Sequence, residues 1–317
     1  MLVKSIKAVL QSGYQFRQLH EMPAALAMPR KVTLASIARM NFIADRYLPN
    51  PVQLLGYNVS YADAAQLRYL YREIFVLGAY IFHSSERYPF IVDCGSNIGI
   101  SILFFKRLYP GAKIIGFEPD QDTFAILQRN IEQNGLSDVT VHNCALTDYD
   151  GTIAFYQSGQ TKSSLMMSTL PERASGTRTE VPARRLSNFL TTDVDLLKMD
   201  IEGAETSVLP ELAAANTLRR VRQLHLEYHH HIQRDVDDLS VTLQLLEQHG
   251  FGYQLQGTSP GWGAGRTNQY IAIYAYQKAP NGVDDRSTDS RGAREARMSP
   301  SGSLSDDRSR EDQEAPM

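Results

Sequence analysis

Cysteine is nearly absent from this 317-residue chain: Cys94 and Cys144 are its only two, too few for a disulfide framework. Both fall where buried strands are expected to end, so a reducing, cytoplasmic setting is expected. Long apolar runs are missing too. No stretch of about eighteen apolar residues occurs, which argues against a membrane span. Met1 to Gly13 lacks both a continuous apolar segment and a small-residue cleavage site, so no secretory signal is expected. Charge of one sign is also lacking. With 32 Lys and Arg against 35 Asp and Glu, the net charge of -3 offers no global basic field, and nucleic acid is not an expected partner. No G-x-x-x-x-G-K-[ST] loop is present, which removes the P-loop class.

What is present is a 43% hydrophobic chain, enough for one large domain with extensions. Residues 1–60 read as a helical N-terminal extension, 61–278 as the main domain and 279–317 as a polar tail. Up to Asn50 the extension carries seven basic residues against Glu21 and Asp45, either a docking surface for an anionic partner or a solvated helical face. Ala279 to Met317 has almost no aliphatic residues and cannot offset its ordering entropy, so disorder is expected there.

Between these, Ala62 to Phe82 has helical spacing and is expected beside the first strand. From Phe90 the pattern alternates: strand Phe90–Cys94, helix Ile100–Tyr109, strand Lys113–Phe117, helix Gln121–Asn134, strand Val139–Asn143. Such alternation predicts a parallel sheet with crossover helices. Further strands are expected at Thr152–Tyr156, Val194–Met199, Gln223–Tyr228 and Gln269–Tyr276. Helices are expected at Ala204–Ala214, kinked or shortened by Pro210, and at Val236–His249. The Ser, Thr and Gly-rich stretch Gln157–Thr179 reads as a mobile loop. Within it Thr161–Met167 suits either a substrate-covering flap or a surface hairpin tip, and Trp262 could stack a sugar or anchor a loop.

The most informative segment runs from Phe90 to Gly99. Asp93 ends a strand where open α/β sheets bind ligands, and Gly95 and Gly99 permit close approach. Asn97 stands where a dinucleotide fingerprint needs its second glycine. Its side chain would obstruct a pyrophosphate and offer an amide to a smaller ligand. Glu118 ends the next strand and can accept both ribose hydroxyls; a competing reading makes it a helix N-terminal carboxylate. Asn143, Cys144, Ala145 and Leu146, ending the third strand, could border an adenine ring.

Val92-Asp93-Cys94-Gly95-Ser96-Asn97-Ile98-Gly99, Phe117-Glu118-Pro119, Asn143-Cys144-Ala145-Leu146 and Asp200-Ile201-Glu202-Gly203-Ala204-Glu205 together resemble the motifs of the FkbM family of S-adenosylmethionine-dependent methyltransferases. The resemblance spans roughly Ile74 to Tyr276; family members usually carry Ala where Ser96 stands. It implies a Rossmann-like seven-stranded methyltransferase core, a mostly parallel sheet with helices on both faces. It further implies S-adenosylmethionine as cofactor, and a small-molecule or glycan hydroxyl as acceptor. Ser96 and Pro119 join the cofactor-binding set through these motifs.

Methyl transfer from a sulfonium needs collinear positioning, and an alcohol acceptor gains from a base or a cation. Asp200 and Glu202 are the candidates at a strand end, against a plain cap reading that accounts well for Glu205. Period-two alternation puts His225, Glu227, His229 and His231 on one strand face. Glu227 and His229 could join Asp200, His229 as proton acceptor. Divalent metal binding is possible but not favoured, since such histidines are often only polar punctuation. An N-methyltransferase, or a non-catalytic scaffold retaining the fold, are the alternatives.

Overall fold

A computed structural model describes residues 30–156, 168–169, 177–230, 238–257 and 269–278. At its centre is strand β3 (Phe90–Cys94), whose apolar run suits a strand covered on both faces. Ile91 joins one apolar cluster and Val92 the other, as period two requires. Helix α3 (Ile100–Leu108) follows, then β4 (Lys113–Phe117), α4 (Gln121–Gln133) and β5 (Val139–His142). The chain returns through β9 (Val194–Met199), α5 (Glu205–Ala214), β10 (Val221–His230), α6 (Leu239–Gln248), β11 (Phe251–Gly257) and β12 (Gln269–Gln277).

These strands form a seven-stranded sheet ordered β11-β12-β10-β9-β3-β4-β5. All neighbours are parallel except β12, which runs antiparallel to β10 and β11. Strand order reverses at β3, with β4 on one side and β9 on the other, and this is where such sheets open a crevice. Helices α3 and α4 cover one face with Phe104, Phe105 and Leu127; α5 and α6 cover the other with Val208, Leu212 and Leu246. No helix among the described residues is long and apolar enough to cross a membrane.

Before the sheet lie α1 (Arg30–Phe42), a short hairpin β1–β2 (Val52–Leu54, Tyr57–Val59) and α2 (Ala64–Leu70). The extension is thus not helical throughout; Leu55 and Gly56, both at positive φ, turn the hairpin. Helix α2 widens into a π-helical turn over Tyr71–Val76 and stops well before Phe82, with Gly78 at φ +68° beyond it. It packs on α3, Phe75 meeting Phe104 edge to face at 5.3 Å, in the apolar cluster that Ile91 of β3 also joins.

A second sheet, ordered β6-β8-β7 (Ala145–Thr147, Arg178–Arg185, Gly151–Tyr156), supplies a partner for the expected strand at Thr152–Tyr156. Pro210 does not end α5, because the buried Val208, Leu209 and Leu212 hold the helix despite the missing N–H. The flap Thr161–Met167, Trp262, His231, the residues before Arg30 and the tail Ala279–Met317 lie outside the described residues.

Candidate active site

Three strand ends meet at the crevice, and a glycine turn makes their approach possible. Gly95 sits at φ +80°, and a Cβ there would lie 1.9 Å from the Asp200 carbonyl oxygen, so only glycine fits. The Gly95 and Ser96 N–H groups both donate to the Phe117 carbonyl (3.1 and 2.8 Å), tying the turn to β4. Asn97 adopts φ +49°, and its side-chain oxygen accepts from the Ile98 N–H at 2.8 Å. Gly99 caps α3 in the left-handed region.

Gly95, Ser96, Asn97, Glu118, Pro119, Ala145, Leu146, Asp200 and Glu202 all line one cleft, which encloses about 850 Å³ with its open mouth included. Four predicted residues do not line it. Asp93 lies beneath the floor, fully buried, where its carboxylate accepts from the Ser101 hydroxyl at 2.6 Å and pairs with Lys198 at 3.3 Å. Its contacts in this structure are to the residues beneath the turn, Ser101 and Lys198, rather than to the cleft lining. Gly99 faces Leu127 instead. Asn143 stands behind the cleft, its amide donating to the Glu118 and Pro119 carbonyls (2.9 and 3.0 Å). His229 lines a second cleft.

Glu118 is 5% exposed, and each carboxylate oxygen accepts one backbone N–H, from Asn97 (3.0 Å) and Asp120 (2.9 Å). Burial nonetheless pushes its carboxyl up to about 8. The second lone pair on each oxygen leaves room for a ligand hydroxyl.

Lys198, within the expected strand Val194–Met199, also lines this cleft. Opposite Asp93 in register, it is buried, donates to the Cys94 and Gly95 carbonyls (3.1 and 2.7 Å), and reaches Asp200 at 3.7 Å. Burial opposes its charge, but Asp93 and Asp200 outweigh that and hold the ammonium above its ordinary value. Tyr80 was missed, since it comes from a distant segment without a motif. Its hydroxyl approaches Asp200 at 3.4 Å, and its ring lies 5.3 Å from the Lys198 ammonium.

The second cleft opens on the other side of Asp200, lined by Tyr69, Glu73, His225, Glu227, His229, Tyr270 and Tyr274 among others. Leu70, Ile74, Tyr80, Asp200 and Glu202 belong to both clefts. Glu202 takes φ +55°, a strained value for a side chain of this size, and the Ser168 hydroxyl anchors its carbonyl at 2.6 Å. Period-two alternation on β10 does turn His225, Glu227 and His229 to this cleft, while Tyr228 joins the core and Leu226 belongs to both.

His229 is wrapped in carboxylates: Nδ1 lies 3.1 Å from Glu205 Oε1, Nε2 3.3 Å from Glu202 Oε2 and 4.0 Å from Glu227 Oε1. Burial works against its charge, yet Glu205 and Glu202 prevail and push the imidazole up to about 10. In this state it is not a ready proton acceptor. Glu227 is pushed up to about 8 by burial and by Asp200. His225, without a carboxylate against it, is driven down to about 4 by burial.

Residues 93–253 match the methyltransferase FkbM domain. Methyltransferase 1 of Beauveria bassiana is 30% identical over 254 residues, covering 71% of this chain and 98% of its own. The 31-O-demethyl-FK506 methyltransferase FkbM of Streptomyces tacrolimicus is 30% identical over 240 residues, 64% of this chain and 87% of that protein. The 2-O-methyltransferase NoeI of Sinorhizobium fredii is 28% identical over 158 residues, 44% of this chain and 63% of that protein. With its Rossmann-like core and the glycine turn inside the matched region, this chain belongs to the FkbM family of methyltransferases.

Proposed function

We propose that this protein transfers the methyl group of S-adenosylmethionine to a hydroxyl oxygen of a small-molecule or glycan acceptor. The observation that carries this reading is the pair of clefts sharing the edge formed by Tyr80, Asp200 and Glu202. The first cleft suits the donor. Glu118 can receive the ribose hydroxyls, the Gly95–Asn97 turn borders the amino-acid end, and Ala145 and Leu146 form an apolar wall for the base. The second cleft then takes the acceptor, so donor and acceptor meet across one edge.

In the reaction the acceptor oxygen gives a lone pair to the methyl carbon as the carbon–sulfur bond breaks and its electrons return to sulfur. Most of the rate can come from holding these three atoms in line. The hydroxyl proton passes to Asp200 or Glu202, which flank the shared edge. Two relatives named as O-methyltransferases, FkbM and NoeI, support an oxygen acceptor.

Calorimetry tests the donor half: S-adenosylmethionine should bind, and Glu118→Ala should weaken it by roughly tenfold or more, as loss of charge-assisted hydrogen bonds predicts. An unchanged affinity would remove Glu118 from the ribose. Transfer of labelled methyl from S-adenosylmethionine into a metabolite extract tests the acceptor half, and label recovered only on nitrogen would replace the hydroxyl reading.

A further inference from the structure

Asp200, Glu227 and His229 can each place one ligand atom within 4.8 Å of the other two, on the seam between the clefts. From this juxtaposition we propose that Asp200, Glu227 and His229 form a divalent-cation site that positions and acidifies the acceptor hydroxyl. The inference rests on the methyl-transfer reading, since its role is defined by the acceptor.

The donor set is mixed, two carboxylates and an imidazole, which suits magnesium-like and manganese-like ions better than soft metals. His229 is presented for this task. Glu205, fully buried at the start of α5, accepts from Nδ1 and also receives the Ile201 N–H at 3.0 Å, so it fixes the ring with Nε2 turned toward Glu202 (3.3 Å) and Glu227 (4.0 Å). A carboxylate behind a histidine is how metal-binding imidazoles are oriented.

Charge points the same way. Four carboxylates, Asp200, Glu202, Glu205 and Glu227, converge around a single imidazole. Among the described residues Lys198 is the one other buried cation beside them; it pairs with Asp93 at 3.3 Å and reaches Asp200 only at 3.7 Å, leaving the remaining carboxylates to His229. Closely spaced carboxylates in a half-buried wall gain from a divalent ion.

A separate residue signals an unmet partner in the same wall. His225 is 7% exposed and lines the second cleft on the strand face that carries Glu227 and His229, yet its Nδ1 has no hydrogen-bond partner. It stands two residues before Glu227, on the same face of β10. An ion here would draw electron density from the acceptor oxygen and ease loss of its proton to Glu202.

The test is a titration of the chelator-treated full chain with Mn²⁺, following the electron-spin signal of the free ion, with Mg²⁺ as competitor. One saturable Mn²⁺ per chain is expected, with affinity weakened about tenfold or more in Glu227→Gln and His229→Ala. S-Adenosylmethionine binding in the same variants reports that they are folded, and His229→Asn replaces any variant that is not. Absence of Mn²⁺ binding at millimolar concentration, or affinities unchanged by both substitutions, overturns the proposal. Failure of the wild-type chain to bind S-adenosylmethionine would instead sink the donor reading, whatever the Mn²⁺ result.

Discussion

Among single residues, Glu118 gives the sharpest expectation. Its carboxyl, raised to about 8 by burial, is mostly neutral at pH 7 in the free protein. Ribose hydroxyls donating to it favour the charged form, so donor binding at pH 7 should release up to one proton. Calorimetry in buffers of different ionisation enthalpy reads that release, and its absence would take Glu118 out of contact with the donor. The same shift sets a stability trend. A carboxyl raised in the folded state contributes stability in full below its ordinary 4.5, and loses it as pH climbs toward about 8. The free wild-type protein should therefore lose stability across that window relative to Glu118→Gln in thermal unfolding; parallel pH curves would contradict the shift. Gly95 is a second case. Gly95→Ala meets both a left-handed φ and the Asp200 carbonyl, so a loss of roughly 2 kcal/mol or more in denaturant unfolding is expected. A wild-type midpoint would show that the turn has room.

At the level of elements, a side-chain clamp on α4 holds the β1–β2 hairpin to the donor turn. Asn130, 1% exposed, accepts the Ser60 N–H at 2.7 Å and donates to the Ser60 carbonyl (3.0 Å) and the Ile98 carbonyl (2.7 Å). Asn134 and Gln133 grip Asn58 in the same way. Asn130→Ala leaves those buried backbone groups unpaired and should cost about 2 kcal/mol or more. Chemical denaturation measures this, and a change under ~0.5 kcal/mol would mean that water replaces the amide. Such clamps were invisible in the sequence, where Asn130 is one polar residue in a helix. The strands at the site were legible for the opposite reason. Lys113–Phe117 and Val194–Met199 are short segments with apolar centres, bounded by turn residues, and their ends coincide with the observed strands. Strand β8, reading Arg-Thr-Glu-Val-Pro-Ala-Arg-Arg, is mostly exposed and carries no such run. The hairpin strands β1 and β2 are three residues each, too short for a period to register. The pairing of Tyr80 with Asp200 joins residues 120 positions apart, which no local pattern encodes.

For the molecule as a whole, charge is divided unevenly between the clefts. The described lining of the second cleft includes Glu73, Asp200, Glu202 and Glu227 but no Lys or Arg, whereas the first has Lys198. With no ion bound, neutral acceptors should therefore outperform carboxylated or phosphorylated analogues in kcat/KM, with the gap widening at low salt. Equal rates across such a series would mean that the acceptor does not enter beside these carboxylates.

The division also has an evolutionary consequence. Most of the first cleft is built from turns after β3, β4, β5 and β9, with Leu70 and Ile74 shared, while Tyr69, Glu73, Tyr270 and Tyr274 of the second come from α2, the π turn and β12. Mutations on those outlying elements can explore new acceptors without disturbing the turn that Gly95 makes possible. A lineage could thus change what it methylates while the means of methylation stays fixed.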